Sequence, residues 1–475
     1  MKIFITRLFI LFIIFPAALH SQVEDRHITD SVTRLIQKHY NSKDIPALYS
    51  LCGENFLSSV SEKKLEEVVF SLHSQMGPLV SWALVSWDGN LAKYKLSFNV
   101  LMAMQVSLDK TRKLEIFSIQ SWEKDTARKL GPVLTDNPRK SLLDKKVDSF
   151  LFPYMSKPGT VGLVLGVLKK NVTHVYGYGE TRKGSKIIPN GNTLFEIGSI
   201  SKTFTATLLS DLVLKRKIGL DDPINKYLPD SIPALQFNGV PINIKNLSNH
   251  SSGLPRMPMN LFLTSDPANP YKHYNEAMLF YFLKRFKPIR EPGKEYEYSN
   301  LAVGLLGVIL ERVSGMPYES LLQQTICKPL ALKNTRVSFS KTDSANAASG
   351  HNENGQLVSS WEFMSLVAAG GMRSSVDDLL LYAKEQGTEG HSTIQKAINV
   401  THQQTFQHGE NRVGLGWHIV ADNGNKYLAH TGQTGGYWCM MLINQSTGNS
   451  IVVLTNSTLE IAQIPFLLIR WLDQN

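Results

Sequence analysis

Apolar positions change their period several times along this chain, and each change marks a structural unit. Ile28, Val32, Leu35, Ile36 and Tyr40 recur at the spacing of one helix face. Further helical stretches are predicted over 45–51 and 62–72. After Gly77-Pro78 the period drops to two: 80–87 reads as a strand, Asp88-Gly89 as a hairpin turn, and Tyr94, Leu96 and Phe98 alternate. Met102, Met104, Val106 and Leu108 alternate again, Asp109-Lys110 turns the chain, and 114–119 supplies another strand. From 123 to 140 the pattern dissolves into Lys, Asp, Arg, Gly131-Pro132 and Asn137-Pro138, the composition of a linker. A new unit opens with a helix over 141–154 and a strand pair over 161–168 and 172–178. Helical patterns fill its middle, strands return at 427–430, 436–443 and 450–454, and an amphipathic helix over 459–472 closes the chain. Strands from both ends of a unit around a helical insertion predict one antiparallel sheet flanked by helices, an α+β fold with a helical subdomain.

The length of 475 residues fits two folded domains. At the start, Lys2 and Arg7 precede an apolar run over 8–15 that ends in Pro16, Ala17 and Ala18. The run is short for a bilayer span, and small residues follow it. Residues 1–21 therefore read as a secretory signal peptide, with Ser21 the last residue before cleavage and no stable membrane anchor expected. Export, to the periplasm or the medium, follows from that reading. Removing Lys2 and Arg7 lowers the net charge from +10 to +8. The remaining basic residues are scattered without an aromatic-interleaved stripe, which argues against nucleic acid as a partner. Cys52, Cys327 and Cys439 are odd in number and far apart, so they form no disulfide framework. No H-E-x-x-H spacing, P-loop or dinucleotide fingerprint occurs, and neither metal nor cofactor is expected.

Residues 24–122, helices first and then a meander of strands, resemble the cone-shaped α+β fold of SnoaL-like cyclases and steroid isomerases. That segment has no acid/tyrosine constellation of its own, and a binding or dimerising role is the expectation.

The chemistry concentrates after residue 140. Phe195-Glu196-Ile197-Gly198-Ser199-Ile200-Ser201-Lys202 leads from an extended segment into an apolar helix reaching about 217 and stopped by Gly219. Ser199 thus stands at a helix N-terminus, where free N–H groups favour developing negative charge. Lys202 follows one turn later on the same face; an amine there, if desolvated, can accept the serine proton. Tyr298-Ser299-Asn300 follows the turn Glu291-Pro292-Gly293 and opens a helix over 301–313. A phenol can carry a second proton, and a carboxamide can bind a substrate amide and tether Lys202. His430-Thr431-Gly432-Gln433-Thr434-Gly435-Gly436 reads as an edge-like strand whose glycines permit close backbone approach. The N–H of Gln433 could join that of Ser199 in an oxyanion hole. His250 is assigned to a turn beside the cleft, since no G-x-S-x-G elbow exists to support a serine–histidine triad. Asn456, leaving the last strand, is named as near substrate but not assigned to the site.

Taken together, these motifs resemble those of class C β-lactamases and the related penicillin-binding serine hydrolases. The Ser199 octet is similar to their active-site signature at every position, Tyr298-Ser299-Asn300 to their Y-x-N, and His430-Thr431-Gly432 stands in place of their K-T-G. Asn249-His250-Ser251-Ser252-Gly253-Leu254-Pro255 and Ala369-Gly370-Gly371-Met372-Arg373-Ser374 are lesser matches. The resemblance spans residues 141–475 and implies a serine hydrolase working through an acyl-enzyme. Ser199, Lys202 and Tyr298 would be catalytic, and Asn300, His430, Thr431, Gly432 and Gln433 would bind substrate. Histidine in place of lysine is the departure that bears on substrate, because a fixed cation there would grip a carboxylate. β-Lactam hydrolysis is the first expectation. A D-alanyl-D-alanine carboxypeptidase or D-amino-acid peptidase, a carboxylesterase, and a slow penicillin-binding sensor are the alternatives, with a β-lactam, a peptidoglycan peptide or an ester as the small-molecule partner.

Overall fold

The computed structural model describes residues 24–88, 91–121, 133–263, 265–387, 390–422 and 424–474. The signal peptide read at 1–21 lies outside the described residues, as does most of the stretch read as a linker. The chain divides into two compact units, Met1–Ala127 and Arg128–Asn475.

In the first unit, helices Glu24–Ser42, Ile45–Ser50, Glu54–Ser59 and Glu62–Met76 precede a four-stranded antiparallel meander, Ser81–Asp88, Leu91–Ser97, Leu101–Leu108 and Leu114–Ser121. The alternation legible in the sequence is an alternation of burial. Ala92, Tyr94 and Leu96 are fully buried and stand opposite Val106, Met104 and Met102 on the next strand. Val32, Ile36 and Tyr40 of the first helix join the same core. Asp88 pairs with Leu91 across the turn that Asp88-Gly89 predicted, although Gly89 itself is outside the described residues. The short helix Glu54–Ser59 had no periodic signal.

The second unit is built on an eight-stranded antiparallel sheet. Its strand order is Phe406–His408, Asn411–Val413, His418–Asp422, Asn425–Gln433, Trp438–Asn444, Ser450–Thr455, Gly162–Lys169, Val172–Gly179. The pair from the start of the unit therefore docks on the last strand of the chain. Both faces of this sheet are covered, which is why Trp438–Asn444 and Ser450–Thr455 read as unbroken apolar runs. Leu163, Leu165 and Val167 face helices Leu142–Met155 and Gln463–Gln474, whereas Val164 and Leu168 face the helical region.

Part of the stretch read as linker is held on this unit, and the boundary at 140 needs correction. Asn137 is buried, and its side-chain amide donates to Asp144 O and the Tyr178 hydroxyl. The helix opened by Ser199 also ends earlier than its apolar pattern suggested. Helix Ser201–Leu214 stops because Arg216, not Gly219, takes the left-handed conformation (φ 55°), and Lys217 N–H closes back on Leu212 O. That helix is buried all round, and its hydroxyl residues are satisfied internally. Thr205 bonds Ser201 O and the Tyr318 hydroxyl, and Thr207 bonds Thr203 O and the Tyr382 hydroxyl.

Candidate active site

Ser199 lies in a single 3₁₀ turn, Gly198–Ile200, between the two-residue strand Phe195–Glu196 and the buried helix. The turn is pressed onto the strand Asn425–Gln433, and two glycines make the approach possible. Gly198 has φ +48°, and a Cβ there would stand 2.7 Å from Gln433 N; a Cβ on Gly432 would stand 2.0 Å from Ile197 O and 3.2 Å from Ser199 N. The backbone around Gln433 is thereby brought against the turn that carries Ser199. Pairing with His418–Asp422 ends at Ala429, so residues 430–433 keep a ladder only with Trp438–Asn444 and form a local edge of an otherwise internal strand.

Lys202 is the most constrained side chain in the site. It is 1% exposed, and its Nζ stands 3.0 Å from Ser199 Oγ, 2.8 Å from Asn300 Oδ1 and 2.5 Å from Ala369 O. Burial, with the nearby Arg256 guanidinium, pushes the amine well below the ordinary lysine range. A neutral amine has two hydrogens and one lone pair. Asn300 and the Ala369 carbonyl can only accept here, so both hydrogens are committed and the lone pair is left for the serine proton.

The Tyr298 ring fills the space beside this amine. Lys202 Nζ lies 4.9 Å from its centroid, the Arg256 guanidinium 5.0 Å, and the His250 ring 4.3 Å. Burial pushes the phenol up to about 12, with the Ser199 hydrogen bond and Arg256 opposing. The phenol is therefore protonated at neutral pH. His250 adopts φ 62° and accepts the Ser299 N–H at its Nδ1 (3.1 Å), which fixes the turn that delivers Tyr298 and Asn300.

The remaining sequence-predicted residues come together on the edge segment. His430 and Gly432 are buried, and Thr431 and Gln433 are exposed. Asn456 is not among them: its amide donates to Glu180 O and Thr181 O and serves the sheet edge. Two neighbours carried no motif. Arg256 is one. His418 is the other, its ring 5.3 Å from His430 and stacked at 6.5 Å on Tyr298, held near a pKa of about 4 by burial and by Lys202. Its place was available from the Asn423-Gly424 hairpin signal, since counting back from that turn sets His418 opposite Ala429.

Comparison with known proteins bears on residues 147–468, which match the family model described as Beta-lactamase. A beta-lactamase of Pseudomonas fluorescens is 29% identical over 343 residues, covering 65% of this chain and 92% of the relative. The D-alanyl-D-alanine-carboxypeptidase/endopeptidase AmpH of Escherichia coli (strain K12) is 28% identical over 323 residues, covering 63% and 81%. Among solved structures, a class C beta-lactamase superposes with a TM-score of 0.62 at 25% identity over 71% of this chain and 99% of that one. A beta-lactamase/D-alanine carboxypeptidase from Pseudomonas syringae superposes with the same TM-score, 0.62, at 24% identity, covering 70% and 99%. The matched residues run from the opening helix of the second unit through its helical insertion to the closing helix, so the chain belongs to the beta-lactamase family and is a serine hydrolase.

Proposed function

We propose that the chain hydrolyses a strained or activated carbonyl through an acyl-enzyme on Ser199. The observation that carries this is the committed geometry of Lys202, whose lone pair is left for the Ser199 hydroxyl at 3.0 Å. Ser199 Oγ attacks the carbonyl as Lys202 takes its proton. The N–H groups of Ser199 and Gln433 stabilise the oxyanion, and Tyr298 passes a proton to the leaving group. Water, deprotonated through the same Lys202–Tyr298 pair, then releases the acyl group and restores the serine. General-base assistance of this kind contributes roughly 10²–10⁴-fold, and loss of one oxyanion donor costs about 10²–10³-fold in kcat. Asn300, His430, Thr431 and Gly432 line the substrate side.

β-Lactams are the first substrate class, in keeping with relatives named beta-lactamases. Their saturation is expected to be weak, because burial and the neighbouring His418 and Lys202 hold His430 neutral where a cation would grip the carboxylate. That same observation favours a second reading, a D-alanyl peptide or ester. Residues 24–122 are proposed as an accessory binding or dimerising domain, and residues 1–21 as the signal for export.

The test is intact-protein mass followed over time with a β-lactam, alongside loss of the lactam. Transient or stable addition to the wild type, absent in Ser199→Ala, is the expected result. An adduct retained in Ser199→Ala overturns the assignment. Rapid lactam loss without a lasting adduct identifies a working β-lactamase, and a persistent adduct a peptidase or sensor.

A further inference from the structure

Arg256 follows directly on the 249–255 segment and is tied to the helix that carries Asn300. Its carbonyl accepts the N–H groups of Asn300 and Leu301, at 3.0 and 3.3 Å, so the backbone fixes its place beside the first turn of that helix. The side chain reaches back to the site. Its guanidinium carbon lies 5.0 Å from the centre of the Tyr298 ring, the same ring that Lys202 Nζ meets at 4.9 Å. Lys202 is sealed off, whereas Arg256 is exposed, and Ser199, Tyr298 and Asn300 are only half-buried. Solvent, and so a ligand, reaches this side of the serine. The charge there has no counter-ion in the fold. Arg290, which packs on Gly253 of the same segment, is closed by Glu295 and Glu297, but Arg256 pairs with no carboxylate among the described residues. A guanidinium that lies over an aromatic ring still has N–H groups that match a carboxylate in two parallel bonds. Burial depresses Lys202 and His250 and raises Tyr298, and Arg256 acts further on all three. It figures in the shift of neither His418 nor His430, so its field belongs to the Asn300 end of the site and not to the strand Asn425–Gln433.

We propose that Arg256 selects substrates bearing an anionic group, a carboxylate seated on its guanidinium at the Asn300 end of the site. A neutral His430 leaves a carboxylate at the strand unheld, and the cation that binds substrate comes instead from the segment that fixes Asn300. The proposal rests on Ser199 being the acylated residue and adds the charge of the substrate to that reading.

The experiment is steady-state hydrolysis of two pairs of esters by the wild type, Arg256→Gln and Arg256→Lys. In 4-nitrophenyl pentanoate and mono-4-nitrophenyl glutarate, a carboxylate replaces the terminal methyl of the acyl chain. Phenyl and 4-carboxyphenyl pentanoate differ instead by a carboxylate on the leaving group. The quantity read in each pair is kcat/KM of the anionic ester over that of the neutral one, whose change between proteins is independent of the esters' own reactivity. In at least one pair the ratio is expected to fall about ten-fold in Arg256→Gln, the loss of one charge-assisted contact, and to be largely kept in Arg256→Lys. That pair identifies the side of the carbonyl that carries the anion. In the wild type, added salt is expected to slow the anionic member of that pair and spare the neutral one, a comparison that no misfolded variant affects. Ratios unchanged in both pairs, with anionic and neutral esters slowed alike or not at all, overturn the proposal, since an Arg256 that acts only by packing on Tyr298 gives that result. Failure of the acyl-enzyme reading shows separately, as hydrolysis of the neutral esters retained in Ser199→Ala.

Discussion

Lys202 spends both amine hydrogens on fixed acceptors, and this makes its protonation state the control on the chemistry. A third hydrogen occupies the lone pair that faces Ser199. Activity is therefore expected to fall as pH drops through the depressed amine pKa and to be sustained above it, well below the ordinary lysine range. The pH profile of kcat/KM checks this; an acidic limb that persists in Lys202→Met would assign the titration elsewhere. The same variant should lower kcat by roughly 10²–10⁴-fold, measured against an activated ester. At this scale the sequence was informative because Ser199 and Lys202 share one helix turn, and Tyr298 and Asn300 one cap. Ala369 O, which takes the second amine hydrogen, was not legible as a ligand: its role depends on how a distant segment is carried to the helix.

That delivery is a property of elements. Helix Asn300–Ser314 holds Asn300 at its first turn and packs along the segment Met364–Ala369. The close crossing depends on Gly307, where a Cβ would stand 2.4 Å from Ala368 Cβ, one residue before the carbonyl that holds Lys202. Gly307→Ala is expected to push that segment away, costing about 1–3 kcal/mol of stability and lowering kcat more than it raises KM. Thermal melting and steady-state kinetics together test this; unchanged kcat in a destabilised variant would separate the crossing from the site. The glycines at 304 and 307 stood in the sequence inside an apolar helix pattern, yet nothing there named the segment they face. Register was available only where a turn signal fixes it, as Asn423-Gly424 sets His418 opposite Ala429. His418 went unread because it sits on a partner strand with no motif of its own.

For the whole molecule, several buried imidazoles set the acid limit of stability. Burial holds His402 and His418 near about 4, against 6.5 for free histidine, and holds His250 and His430 well down. The unfolded chain takes up protons as pH falls below about 6.5 while the folded rings stay neutral, so stability declines, and the contribution of His402 and His418 levels as pH passes about 4. His418 alone corresponds to about 3 kcal/mol across that window. Melting temperature should fall between pH 7 and 4, and fall less steeply in His418→Phe; identical slopes would remove this residue from the account. The two-unit organisation and the antiparallel sheet were readable from shifts of period, whereas the second unit's true start was hidden because its first anchoring contacts are hydrogen bonds from a polar segment.

The pairing of Gly162–Lys169 with Ser450–Thr455 carries a consequence for how the protein is made. The first hairpin of the hydrolase unit leaves the ribosome nearly three hundred residues before the strand that seats it, as the Val161 N–H to Ser457 Oγ bond records (sequence separation 296). Contacts this distant in sequence form late. The sheet of the hydrolase unit therefore cannot close until its final residues are synthesised. Premature termination before the last strand would leave no half-working enzyme, because the sheet behind the serine would lack its middle.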